Sequence, residues 1–194
     1  MGDRMQIRVD ELNEWIEALD SIDGEVRRAA AERIRALGEV AAAALHAAAR
    51  TLTPRRCWQA LSLLQEMGDT RWQVDLGMFL ASRNPLLGQT ALKGVDIRRP
   101  DHIALLLDAL PEAHHMVQPH IILLLGRSGD PRAVAPLLRY LRETEHETIR
   151  YNLIEALGLI GDPQAVDAIR GFRDDPNHHV RERVQKALER LGAA

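Results

Sequence analysis

The chain has 194 residues, 46% hydrophobic and 27% charged, with a formal charge of −3 and a pI near 6.2. That length sustains a sizeable core, and the mildly acidic balance gives no global attraction for nucleic acid or for an anionic membrane surface. The single Cys57 excludes an internal disulfide, no apolar run approaches the roughly 20 residues that span a bilayer, and "MGDRMQIRVDELNEWIEAL" does not read as a signal peptide, which together predict a cytoplasmic protein.

Ala and Leu are abundant and β-branched runs are scarce, so the elements are predicted to be helices throughout. The first hairpin pairs a helix near 9–20 with a second one running to Gly38, joined by "DSIDGE". The second pairs 39–51 with a helix around Cys57, joined by "TLTPRR". The third pairs 70–81 with a short helix around Leu87, joined by "SRNP"; Pro85, Gly88, Gly94 and Pro100 crowd 82–100 and predict a kink or a change in curvature there. The fourth, fifth and sixth open at 101–110, 131–142 and 163–173, turn through "LPEAHH", "RETEHE" and "RDDPNHH", and close with helices around Val117, Ile149 and Val180.

A period underlies this order. The apolar anchors Val26, Cys57, Leu87, Val117, Ile149 and Val180 are separated by steps of 31, 30, 30, 32 and 31. A glycine follows most of them about a dozen residues later, at Gly38, Gly68, Gly129, Gly161 and Gly192; the third unit reads "DIRRP" instead. No hairpin buries both its apolar stripes alone, so units stack on one another. The predicted fold class is all-α, a right-handed α-solenoid (superhelix) of about six hairpins forming one domain over 1–194, with repeats at 9–38, 39–69, 70–99, 100–129, 130–161 and 162–192.

At "LGRSGDPRAV" and "LGLIGDPQAV", followed by "DDPNHHVRERVQKALERLG", the chain resembles the HEAT-repeat family, in particular HEAT-like repeats of the phycobilin lyase type. The resemblance is sharp over 115–192 and in "DGEVRRAAAERIRALG", and reduces to period and pattern over 39–114. It implies a solenoid whose second helices line the concave side. It also implies a binding scaffold or, less often, a bilin-attaching lyase or phycobilisome-associated protein; related solenoids include DNA alkylation-repair glycosylases.

The Gly-x-x-Gly-Asp-Pro stretches are not phosphate loops, since a helix and not a strand precedes them and no Lys follows. They read as a helix stop and start: Gly161 left-handed at the C-terminus, Asp162 as N-cap, Pro163 at the first helical position. Arg27, Arg150 and Arg181 recur one residue after an anchor near Asp20, Glu145, Asp174 and Asp175, which predicts a carboxylate ladder across repeats. His114, His115, His146, His178 and His179 precede anchors and predict a polar rim. A metal shared across repeats would need ligands near 2 Å from units roughly 10 Å apart, so neither metal nor cofactor is expected.

The remaining candidate is a surface. Opposite the core stripe, the second helices present residues two, five, six and nine past each anchor, charged at the ends of the array and apolar in its middle. Leu63, Leu92, Ile122, Leu123, Tyr151 and Ile154, flanked by Arg28, Arg35 and Lys93, therefore predict a concave groove that takes a protein partner. No Ser/His/Asp or Cys/His arrangement stands out. The expectation is a non-catalytic scaffold or adaptor, with bilin handling as the alternative. A glycosylase is disfavoured by the acidic pI and by the confinement of Trp15, Trp58 and Trp72 to the first half.

Overall fold

The helices begin and end where the predicted punctuation stands. In the computed structural model, which describes residues 9–49, 54–69, 73 and 75–193, Gly38, Gly68, Gly129, Gly161 and Gly192 all take positive φ, between 54° and 78°. Only glycine enters that region without a Cβ penalty, so these five positions set where each second helix stops. Asp162 then accepts the N–H of Gln164 at 2.8 Å, and Asp130 that of Arg132 at 2.9 Å, each ahead of a proline that opens a short 3₁₀ turn. Asp23, Asn84 and Asn177 cap the starts of three second helices in the same manner.

Residues 1–75 form one compact unit. Its helices are α1 (Val9–Ala18), α2 (Gly24–Ala36), α3 (Glu39–Ala49) and α4 (Pro54–Glu66). The hairpin partners pack on each other, α1 on α2 and α3 on α4, and α1 also touches α4. Ile16, Ile34, Leu45, Leu61 and Leu64 make its core, joined by the buried Cys57.

Residues 76–194 form the second unit. It contains α5 (Leu76–Leu80), α6 (Pro85–Leu92), α7 (Pro100–Ala109), α8 (Gln118–Ser128), α9 (Val134–Glu143), α10 (Glu147–Ile160), α11 (Val166–Arg170) and α12 (His178–Arg190). Within it α8, α10 and α12 pack side by side in chain order, and α7, α9 and α11 form the other layer, each against its own partner. This is the α-solenoid arrangement of stacked helical hairpins, with a continuous core of residues such as Ile103, Leu106, Ile121, Leu125, Leu137, Leu153, Leu157 and Val184.

The third hairpin departs from the others for identifiable reasons. Its first helix is described only as α5; residues 70–72 and 74 of the predicted 70–81 helix lie outside the described residues. Its second helix, α6, is short, and Gly88 within it faces Val117: a Cβ there would lie 2.7 Å from a Val117 methyl. In place of the left-handed glycine, Asp96 makes the turn by accepting the Arg98 N–H at 3.0 Å, while its own N–H is donated to Nδ1 of His102 at 3.0 Å.

Candidate functional site

The second helices of the second unit have two covered faces. One lies on the hairpin partner. The other is set by Gly126 and Gly158: an added Cβ at Gly126 would stand 2.6 Å from Ala156 Cα, and one at Gly158 would stand 2.7 Å from Ala187 Cβ and 2.8 Å from its Cα. Each glycine thus lets its helix touch the backbone of the next second helix, a packing that any larger residue would push apart. One turn earlier on the same side come Ile122 and Ile154, both 0% exposed.

This corrects the predicted groove. Ile122 and Ile154 are seam residues of the stack, and Leu63 is also buried, at 4%. The polar residues at the equivalent sites of α12, Gln185 and Glu189, are exposed. The apolar character of the middle therefore records stacking. Leu63 falls five residues before Gly68, as Ala156 and Ala187 stand before Gly161 and Gly192, so counting from Cys57 had shifted that repeat by one position.

Leu92, Leu123 and Tyr151 remain half-buried on the accessible side of the second unit, and Lys93 is exposed. In the first unit Arg28 and Arg35 are exposed but engaged: Arg28 meets Glu25 at 3.1 Å, and Arg35 reaches across to Glu66 at 2.5 Å.

Tyr151 is held by a contact from the next repeat. Arg183, from the next second helix, donates to its hydroxyl, places its guanidinium 4.4 Å from the ring centroid, and pairs with Glu155 at 2.9 Å. Two side chains, Arg183 and Glu155, from two repeats thereby fix the ring, which presents a partly apolar, partly polar surface without a large loss of rotamer freedom on binding. The Arg183 contribution was missed from sequence, although an Arg 32 residues after a Tyr in a chain of that period is a readable cross-repeat signal.

The arginine ladder takes two forms. Arg150 pairs at 3.0 Å with the buried Asp175 of the following hairpin and lies 5.6 Å from the Phe172 ring. Arg27 and Arg181 instead donate to backbone carbonyls of the preceding turn, Arg27 to Ser21 and Ile22, Arg181 to Asp175 and Pro176. Asp175 also accepts the Asn177 N–H at 2.9 Å, so one carboxylate joins two hairpins.

The histidines fall on the predicted rim. His115, His146, His178 and His179 are exposed, and the rings stack as sequence neighbours, with centroids 4.1 Å apart for His114 with His115 and 3.7 Å for His178 with His179. Among the described residues no three His, Cys, Asp or Glu side chains gather into a possible metal site. Between the starts of α8 and α10 lies an open cavity of about 870 Å³, and between the starts of α10 and α12 a smaller one of about 310 Å³. Glu147 and Thr148 line both, so the two adjoin at the start of α10 as a trough in two parts.

Burial displaces His102 and Cys57, and it also raises the Tyr140 hydroxyl above its ordinary value. His102, 3% exposed, has its pKa pushed down by desolvation and by the Arg99 charge, against a smaller upward pull from Asp101 and Asp96. The Cys57 thiol is pushed up to about 11 by burial, which makes it an unreactive core residue at neutral pH. On the surface, Arg98 holds the Asp96 carboxyl down at about 2.

No helix among the described residues is long and apolar enough to cross a membrane. Among solved structures the chain is similar to human deoxyhypusine hydroxylase in complex with glycerol, at a TM-score of 0.56 and 21% identity over 96% of this chain and 75% of that one. It is also similar to a designed armadillo repeat protein in complex with the peptide (KR)4, at 0.55 and 16% identity over 93% and 99% of the two chains. A second designed armadillo repeat protein gives 0.52 and 15% over the same shares. No curated protein matches the chain in sequence. A family model for HEAT repeats matches residues 76–157 and 140–194, the whole second unit and more than half of the sequence. The chain belongs to the HEAT-repeat family.

Proposed function

We propose that this chain is a non-catalytic cytoplasmic adaptor that holds a protein partner on the accessible side of its second helices. The observation that carries the reading is Tyr151, a half-buried aromatic fixed by Arg183 and Glu155 from both sides of a repeat boundary. Rigid, amphipathic side chains of this kind are the usual anchors of protein interfaces. Leu92, Lys93 and Leu123 extend the same surface in the second unit, and Arg28 and Arg35 are the corresponding candidates in the first. Ile122, Ile154 and Leu63 act through the core. Stacked repeats commonly bind partners on the surface formed by one helix layer, and a designed repeat protein of similar fold is in complex with a peptide.

A chromophore-handling role of the phycobilin-lyase kind ranks second. Propionate groups of an open tetrapyrrole call for cationic side chains, whereas the trough beside Tyr151 is bordered by the carboxylates Glu145 and Glu147. The test is affinity capture from native lysate with the natural chain, a Tyr151→Asp variant and an Arg139→Glu variant on the exposed side of α9. The adaptor reading expects one protein retained by the natural chain and by Arg139→Glu and lost from Tyr151→Asp. Equal retention by all three, or a preparation with visible absorbance and no protein partner, would contradict it.

A further inference from the structure

We infer that the trough along the starts of α8, α10 and α12 is a subsite for an extended peptide that carries a Lys or Arg pair between apolar side chains. The inference rests on the adaptor reading and adds the chemistry of the partner.

The apolar part comes first. Met116 is 51% exposed on one flank, Pro119 and Ile149 line the larger cavity, and Tyr151 and Val180 line the smaller one. An exposed methionine above an apolar-lined cavity is a surface that gains by being covered. Charge then selects the occupant. Neither cavity is lined by any Lys or Arg; beside the imidazoles of His115, His146 and His179, the formal charges on their walls at neutral pH are the carboxylates of Glu145 and Glu147. This is unusual in a chain where Glu66, Asp96, Asp101, Asp130, Glu155 and Asp175 each meet an arginine. Glu147 accepts a hydrogen bond from Asn177 Nδ2 at 2.7 Å, a neutral donor that orients the carboxylate at the start of α10 without pairing it with a cation. The adjacent basic groups face elsewhere: Arg150 is committed to Asp175, and Arg181 to the carbonyls of Asp175 and Pro176.

The dimensions fit a short segment. Packed helices lie roughly 8–10 Å apart, so three successive starts span about 20 Å, which is about six residues of extended chain at roughly 3.4 Å each. The carboxylates stand at the start of the middle helix, with Met116 and Pro119 on its α8 side and the Tyr151 ring on its α12 side, which places the cationic pair centrally and the apolar side chains at the flanks.

The experiment is fluorescence anisotropy of a labelled peptide Ala-Leu-Arg-Lys-Leu-Ala with the full chain, beside peptides carrying Glu-Glu or Gln-Gln in the central positions. The basic peptide should bind more tightly than either control, and the affinity should fall as salt rises from about 50 to about 500 mM. The double variant Glu145→Gln, Glu147→Gln, which keeps an acceptor for Asn177 and changes two exposed residues, should weaken binding by about fivefold to tenfold. Equal affinity for basic and neutral peptides, or unchanged binding by the double variant, would overturn the inference. Loss of capture by Tyr151→Asp alongside such a negative result would leave the adaptor reading standing and remove only the basic-peptide assignment.

Discussion

Two adjacent residues of the second unit separate what folds the chain from what it displays. Ile122 is fully buried against the neighbouring repeat and Leu123, next to it, is half-buried on the accessible side. Ile122→Ala should cost about 2–5 kcal/mol in urea unfolding, the range for emptying a tight core site, and Leu123→Ala about 1 kcal/mol or less. The αL glycine and its neighbour are structural as well. Gly161→Ala should cost about 1 kcal/mol and Asp162→Ala about 0.5–2 kcal/mol, both without effect on partner capture. His102 adds a pH dependence with a defined sign. Its imidazole is buried as the neutral acceptor of the Asp96 N–H, so the unfolded chain takes up the proton first. Its share of stability is complete above the ordinary histidine pKa near 6.5 and is lost as pH falls from there to the lowered folded value. A His102→Asn variant, whose amide oxygen can accept the same N–H, should lose less stability than the natural chain between about pH 7 and 5 in thermal melts.

At the scale of elements, the seam between second helices is the feature that decides the architecture. Gly126 and Gly158 hold α8, α10 and α12 at backbone contact, so Gly158→Ala should destabilise the second unit by about 1–3 kcal/mol. Ala187→Gly should recover part of that loss by removing the Cβ it meets, and a double-mutant cycle in urea would measure the coupling. Much of this level was legible in advance. The period, the six hairpins and the stop-and-start role of Gly161, Asp162 and Pro163 follow from local chemistry, because αL backbone, side-chain capping and a missing proline N–H each leave a residue-type signature. The register of the accessible face was not legible. A helix in a solenoid packs on two sides, and a single-stripe reading assigns the second covered side to solvent; Ile122 and Ile154 were misplaced for that reason. The first glycine of each Gly-x-x-Gly pair carried the missing information, since glycine inside a helix costs about 1 kcal/mol and its recurrence after 32 residues marks a close approach.

For the molecule as a whole, sequence and structure agree on helical hairpins in both units, and the family match fills the second. The buried Cys57 gives that molecule a built-in probe: its raised pKa and 3% exposure predict slow labelling by a thiol reagent in the folded state and fast labelling once the first unit opens in urea. The central claim is that the side of the second helices carrying Leu123 and Tyr151 is where the partner sits. The most direct measurement is photo-cross-linking with a benzophenone side chain placed at Leu123 and, separately, at Arg139 on α9. The account predicts a cross-linked partner from position 123 and none from position 139. A partner cross-linked from position 139 alone would contradict it.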